Sequence, residues 1–403
     1  MADEPGPAQL DPTSYLADPD GELGRCAAEH WWAEGFDAHG AGTPMVLRWD
    51  AVRDVLADRR LSPRCFADDM VAAGLSPRTA RQVAPLFALH GDEHRRHRAL
   101  LSAAFTPRQV ERLRPAAAAV AARLAEGIVA EGGAGEFVGA FAEPLPPEVF
   151  ATLFGLPTED RDRMARWAAA IAPAFSAAMS PEAVARVEVA AGELRAYGEG
   201  LIAARRDDPG DDLVSHLLAA EVDGHRLDDD QVVAMITGFV FAGAETTRRQ
   251  LTAAVQLFAE HPDAWERLAA EPDLVPTAVE EVLRHRPIVP GLPRRAEEAF
   301  ERDDLALDEG DRLLALFGPA NHDPERFEDP ERFAIDRADA GGHVTFGWGP
   351  HFCVGAGLAR MELVEGLRAL VERFGPPVID RVGPATGLTA PDRLWVTFPV
   401  RAA

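Results

Sequence analysis

The stretch FGWGPHFCVG, Phe346 to Gly355, sets one cysteine among glycines (Gly347, Gly349, Gly355) and aromatic residues (Phe346, Trp348, Phe352). A cysteine that only fills core space needs no such frame. Glycine removes the side chain where a backbone must turn sharply or approach a flat surface closely. A thiolate that binds something needs an exposed sulfur stabilised by backbone N–H groups and a helix N-terminus, and a helix is expected to open near Gly357. The aromatic residues can keep water from the sulfur. A lone Cys beside Gly would read as a buried free thiol, but the full spacing Phe-Gly-x-Gly-x-His-x-Cys-x-Gly is far more specific.

The rest of the chain bounds what that loop can serve. The 403 residues are long enough for a large core, and 47% are apolar, which excludes a disordered chain. Alanine-rich runs such as PAAAAVAARLAEGI favour helices, so a mainly α protein with small β-sheets is expected. The N-terminal MADEPGPAQLDP lacks the basic and apolar regions of a signal peptide, and residues 1–20 are expected to form a flexible arm. No run of about 18 apolar residues suggests a membrane helix. The three cysteines, Cys26, Cys65 and Cys353, fit neither a disulfide framework nor a zinc site, so a cytoplasmic location is expected. A formal charge of −25 argues against nucleic-acid binding. Against it stand two basic clusters, EHRRHR (with His94 to Arg98) and RRLSPR (Arg59 to Arg64).

A strand and a helix opening at Asp50 are expected in TPMVLRWDAVRDVLAD, then a Pro-, Gly- and Ser-rich loop to about residue 90. Helices are expected over 93–104, 107–131, the EPLPPEVFATLFGLP segment, 159–206, 263–270, 276–285 and 357–374. Short strands are expected within 287–317 and in RLWVTFPV. The longest helix should run from the acidic run 228–230 to His261-Pro262 and span about 45 Å. Its VVAMITGFVFAGA stretch is apolar on all faces, which implies burial. With no low-complexity linker, residues 1–403 read as one domain.

Three further constellations stand out. In AGAETT (242–247) an acid and an alcohol sit side by side in that apolar helix; a threonine there can simply bond back to an i−4 carbonyl. In EEVLRHRP, Glu281 and Arg284 stand at i and i+3, a spacing that by itself suits a surface pair of about 0.2–0.5 kcal/mol. In EHRRHR, His94 and Arg98 lie one turn apart, within what could be a solvated basic face.

From about Val46 to Val400 the chain resembles the cytochrome P450 superfamily of haem-thiolate monooxygenases, of the soluble bacterial type, and Phe346–Gly355 resembles its haem-binding loop. The resemblance implies a single-domain, triangular, mostly helical fold and a haem b whose axial ligand is Cys353, a thiolate that favours O–O cleavage. Phe346, Gly347 and Gly355 would belong to the haem loop. It implies that Glu245 and Thr246 relay protons for oxygen activation. Ala242 would roof the haem, and Gly238, Phe241 and Ala242 would touch substrate together with Ile288, Val289 and Leu292. Further pocket walls are expected from 62–92, 165–200 and 384–392. Glu281, Arg284 and Arg332 would form a buried network behind the loop. The propionates would meet His94, Arg98, His351 and Arg294, with Arg295 an equal candidate from register alone.

The implied reaction uses dioxygen, two electrons and two protons to place one oxygen atom in a small, apolar organic substrate and one in water. The chain ends about fifty residues after Cys353, so electrons are expected from a separate ferredoxin or flavodoxin with its reductase, steered by basic residues. Two other readings stay open: a peroxide-driven or non-hydroxylating oxidation (coupling, desaturation) on the same fold, and a haem-bearing sensor or carrier. The Glu245–Thr246 pair speaks against peroxide dependence and against mere binding. Pro350 before His351, and Arg248 and Arg249 after the threonines, depart from the usual pattern; buried arginines demand carboxylate partners.

Overall fold

The longest helix, Asp229–Glu260, is 32 residues, about 48 Å. A capping box starts it: Gln231 N donates to Asp228 Oδ1 at 2.8 Å, and Asp228 N donates to Gln231 Oε1 at 3.0 Å. Pro262 opens the next helix, Pro262–Ala270. The computed structural model describes residues 7–11, 14, 18–36, 42–175, 179–385 and 388–401. The expected pocket walls at 176–178 and 386–387 lie outside the described residues, as does most of the expected N-terminal arm.

Two hydrophobic cores meet along this helix. Val232, Ile236, Phe239 and Val240 pack with Phe150, Phe154 and Trp167 in the first. Leu251, Val255 and Phe258 pack with Trp265, Phe374 and Phe398 in the second. Between them the helix buries Glu245, Thr247, Arg248, Arg249 and Gln250. The helix Ala356–Arg373, which follows the cysteine loop, crosses the same boundary: Leu358 and Met361 join the first core and Leu363 and Leu367 the second. Its buried Glu362 lies between them.

The central helix is not apolar and buried on every face. Gly238, Ala242 and Thr246, spaced at i, i+4 and i+8, form a more open stripe, and Ala242 is exposed. A Cβ on Gly243 would lie 2.1 Å from Phe150 Cζ, so this glycine admits a core aromatic ring.

Among the described residues the strands form three small sheets. The six-stranded one runs Ala8–Gln9, Trp32–Phe36, Gly42–Val46, Arg312–Leu316, Gly291–Ala296, Leu61–Ser62. Gly291–Ala296 pairs antiparallel with Arg312–Leu316, setting Arg294 opposite Leu313. Successive side chains of a strand point to opposite faces. Arg294 is thereby turned inward and buried, and Arg295 lies on the more open face.

Two local expectations change. The segment before residue 90 is not one loop but holds the helices Cys65–Ala72 and Pro77–Val83. Ser76 caps the second, with Pro77 in its first turn, and Met70, Ala80 and Val83 enter the first core. The helix Trp49–Ala57 begins one residue before Asp50, and Trp49 N donates to Asp323 Oδ2 at 2.9 Å. Among the described residues no helix is long and apolar enough to cross a membrane.

Candidate active site

The cysteine loop is held by its own backbone. Gly347 and Gly349 take positive φ values of 72° and 69°, a region that strains other residues. A Cβ on Gly349 would also lie 2.8 Å from Ala57 Cα. Gly355 has φ −82° and caps the helix Ala356–Arg373; its Cβ position lies 3.9 Å from Cys353 Sγ. Cys353 N donates to Phe346 O at 2.9 Å. Cys353 is exposed, while desolvation is the first influence on its thiol and pushes its pKa up. The N–H groups of Gly355 and Ala356 and the guanidinium ions of Arg98 and Arg360 pull the other way, towards thiolate. Cys26 and Cys65 are buried.

Beside the loop lie buried donors without acceptors. The rings of His94 and His351 lie 3.7 Å apart, centroid to centroid. His94 Nε2 and Arg294 Nε and Nη2 are buried without hydrogen-bond partners. Burial pulls Arg294 down to about 10 and His94 to about 4. His351 falls to about 2, through burial first and then His94 and Arg294. Burial also lowers the Arg98 pKa, while Cys353 raises it. Among the described residues no carboxylate pairs with these four potential cations. Arg295, the other register candidate, is paired with Asp68 at 2.6 Å and Glu297 at 3.2 Å.

Behind the loop, Glu281 and Arg284 are each fully buried. Arg284 Nε donates to Glu281 Oε2 at 2.7 Å and Nη2 to Oε1 at 2.9 Å. The third member is Arg337, not Arg332: Arg337 Nε donates to Glu281 Oε1 at 3.1 Å. The Arg332 carbonyl accepts from Arg337 at 2.9 Å, whereas Arg332 itself is exposed. Arg284 Nη1 donates to Asn321 O at 2.7 Å, and Asn321 Oδ1 accepts from Val344 N at 2.9 Å, two residues before Phe346. Phe346 itself lies under the Arg360 guanidinium, 4.5 Å from ring centroid to Cζ.

The acid–alcohol pair differs from expectation in its acid. Thr246 Oγ1 donates to Ala242 O at 2.6 Å, leaving its lone pairs free to accept. Glu245 is an ion-paired carboxylate: Arg248 Nε donates to it at 2.8 Å, and Arg248 Nη2 and Arg249 Nε donate as well. Arg249 Nη2 continues to Asp392 at 2.5 Å, tying the turn at 388–392 to the central helix. A cavity of about 340 Å³ borders this cluster, lined on its other side by Ala165, Ala168, Ala169 and Ala172.

Of the expected pocket residues, Gly238 packs against Pro85, whose Cδ lies 2.8 Å from the Cβ position. Leu292 and Val289 are half-buried, and Leu292 Cδ1 lies 3.7 Å from the Cβ position of Gly347. Phe241 and Ile288 are each 3% exposed, Phe241 in the first core and Ile288 in a cluster with Ala253 and Leu388.

Residues 201–389 match the family model "Cytochrome P450". The chain is 35% identical over 368 residues to the luteothin monooxygenase of Streptomyces thioluteus, covering 89% of each protein. It belongs to the cytochrome P450 family. This P450 is also 35% identical to the mycinamicin IV hydroxylase/epoxidase of Micromonospora griseorubida, covering 82% of this chain and 81% of that one. The solved cytochrome P450 of Chondromyces apiculatus superposes with a TM-score of 0.85 at 29% identity, covering 99% of this chain and all of the other. The mainly helical fold with small sheets is thus the P450 fold, and the enzyme is a P450 monooxygenase.

Membership implies a haem held by a cysteine thiolate, electrons from a redox partner and an organic substrate. The residues present fit a haem: an open thiol in a glycine-framed loop, beside unpartnered buried donors suited to two carboxylates. Sequence reasoning missed Arg337, the carboxylates that hold Arg248 and Arg249, and Glu362. Only the arginine pair carried a signal, since a buried guanidinium predicts an acid nearby.

Proposed function

We propose that Cys353 is the axial ligand of a haem b, in a single-domain monooxygenase acting on a small, apolar secondary metabolite. The single observation that carries this is an exposed Cys353 in a loop whose His351 stacks on His94, one of the buried donors that have no protein acceptor. His94, Arg98, Arg294 and His351 bind the propionates, and Phe346, Gly347 and Gly355 shape the loop around the sulfur. Glu281, Arg284 and Arg337 hold that loop in place. When bound, the haem supplies the reductive activation of dioxygen. Thr246 holds a proton at Oγ1 for that step, and the open stripe Gly238–Ala242–Thr246 faces haem and substrate. Val289 and Leu292 line the substrate side. Relatives named for hydroxylating or epoxidising mycinamicin and for hydroxylating erythromycin support a secondary-metabolite substrate. A ferredoxin or flavodoxin with its reductase supplies electrons in the cytoplasm. The test is product formed per reductant consumed, with a surrogate ferredoxin and a substrate chosen by binding spectra. Thr246→Ala should keep haem and substrate binding, while its output shifts from oxidised substrate to hydrogen peroxide. An unchanged ratio would remove Thr246 from the proton path.

A further inference from the structure

Glu280 and Glu281 are neighbours on the helix Val275–His285, and each ties that helix to a different part of the cysteine loop's surroundings. Glu281 belongs to the buried network with Arg284 and Arg337. Glu280 instead receives Arg360 of the helix that follows the loop, Nε donating to Oε1 at 2.6 Å and Nη2 to Oε2 at 3.0 Å. Two parallel bonds of this kind fix the plane of a guanidinium as well as its position. On the same carboxylate, His343 Nε2 lies 3.2 Å from Glu280 Oε2. Burial lowers the His343 pKa, so the ring is neutral. Its Nδ1 accepts from Thr345 N at 3.2 Å, which puts the ring proton on Nε2, towards Glu280. Burial opposes the charge on Glu280, but His343 and Arg360 hold its pKa down at about 2, and it is ionised at neutral pH.

Held in this way, Arg360 sets its Cζ 4.5 Å from the centroid of the Phe346 ring, within cation–π range. Phe346 is also the residue whose carbonyl accepts the Cys353 amide at 2.9 Å. The guanidinium is therefore fixed against the ring of the residue to which the cysteine backbone is bonded. It is half-buried, so its field is screened less than that of a surface charge. Arg360 is one of the groups that draw Cys353 towards thiolate. A cation beside a thiolate stabilises negative charge on the sulfur and favours the state that holds one more electron, and a carboxylate does the reverse.

We propose that Arg360, held against Phe346 by Glu280 and His343, sets the reduction potential of the haem that Cys353 binds: the guanidinium raises it and the Glu280 carboxylate moderates it. This rests on the reading of Cys353 as the axial ligand. The step concerned is the uptake of one electron from the redox partner, with no bond made or broken. Glu280 and His343 are positioning residues, and Arg360 acts through its charge.

The test is a redox titration of the haem-loaded proteins, followed by absorption without substrate, redox partner or turnover. At the midpoint potential of the wild type, Arg360→Gln should lower the ratio of reduced to oxidised iron several-fold. Glu280→Gln, which removes the opposing charge, should raise that ratio several-fold. Arg360→Lys, which keeps the charge, should stay close to the wild type. A role in packing alone would lower haem content or melting temperature in Arg360→Gln and Glu280→Gln, and would move the potential in neither or in the same direction in both. Either result would overturn the proposal. So would an Arg360→Lys protein whose ratio falls as far as that of Arg360→Gln. If Arg360→Gln does not hold haem, the opposite shift in Glu280→Gln and the unshifted Arg360→Lys decide the matter. Absence of the thiolate-type band from the reduced carbon monoxide complex of the wild type would instead refute the reading of Cys353 itself.

Discussion

Two buried clusters of charge lie on either side of the cysteine loop, and they are built in opposite ways. Behind the loop, Glu281 accepts from Arg284, Arg337 and the Ala334 amide, and each arginine finds further backbone carbonyls. Beside the loop, His94 and Arg294 are equally buried but leave donors empty. Burying charge costs free energy unless it is paired. The first cluster meets that cost within the protein, so its role is structural. The second does not, which supports the proposal that it meets the carboxylates of a haem. The same contrast recurs on a smaller scale between the ion-paired Glu245 and the unpaired Glu362.

Removing Glu281 should break the first cluster most severely. Glu281→Ala leaves two buried guanidinium ions without their acid, at a cost of about 3–5 kcal/mol, read as lost haem content and a lowered melting temperature. Arg337→Met should follow in the same direction, whereas Arg332→Met should stay within about 0.5 kcal/mol. The reverse order would restore Arg332 to the network.

In the second cluster the effect of a deletion should depend on the haem. Arg294→Met removes an uncompensated buried cation, so the apoprotein should melt no lower than the wild type. Haem affinity should fall by about 1.5–3 kcal/mol, the worth of a hydrogen bond to a charged group. Equal loss in both states would make Arg294 an ordinary core residue.

Acid should separate the states more gently. In the apoprotein His94 is held near 4, by burial first and then by Arg98, His90 and His97. A folded pKa below the unfolded value of 6.5 means that the unfolded chain binds the proton first. Apoprotein stability should therefore decline as pH falls from about 6.5 to about 4, and urea titrations of His94→Gln should show a flatter profile. The smallest effect should be at the surface. Charge reversal at Arg95 and Arg96 should slow the first electron transfer at low salt, and the difference should fade as ionic strength rises.

What the sequence revealed was local. The cysteine loop is legible because all its determinants lie within ten consecutive residues, and the capping box and Pro262 mark both ends of the central helix in the same way. The choice of Arg294 over Arg295 became visible only through strand register, which turns one inward and the other out. Arg332 and Arg337 are both plausible partners along the chain. The fold of residues 328–337 decides between them by turning the Arg332 carbonyl, not its side chain, towards the network. The helices Cys65–Ala72 and Pro77–Val83 are each a turn or two long and are separated by Gly74 at φ +109°, too short for a period to show. Glu362 looks like any surface glutamate of an amphipathic helix until the second helix is packed against it.

The most direct test of the ligand-built cluster is the absorption spectrum of the reduced carbon monoxide complex in Cys26→Ser, Cys65→Ser and Cys353→Ser proteins. The account expects the thiolate-type band to survive in the first two and vanish in the third. Survival of that band in Cys353→Ser, with its loss on changing either buried cysteine, would contradict it.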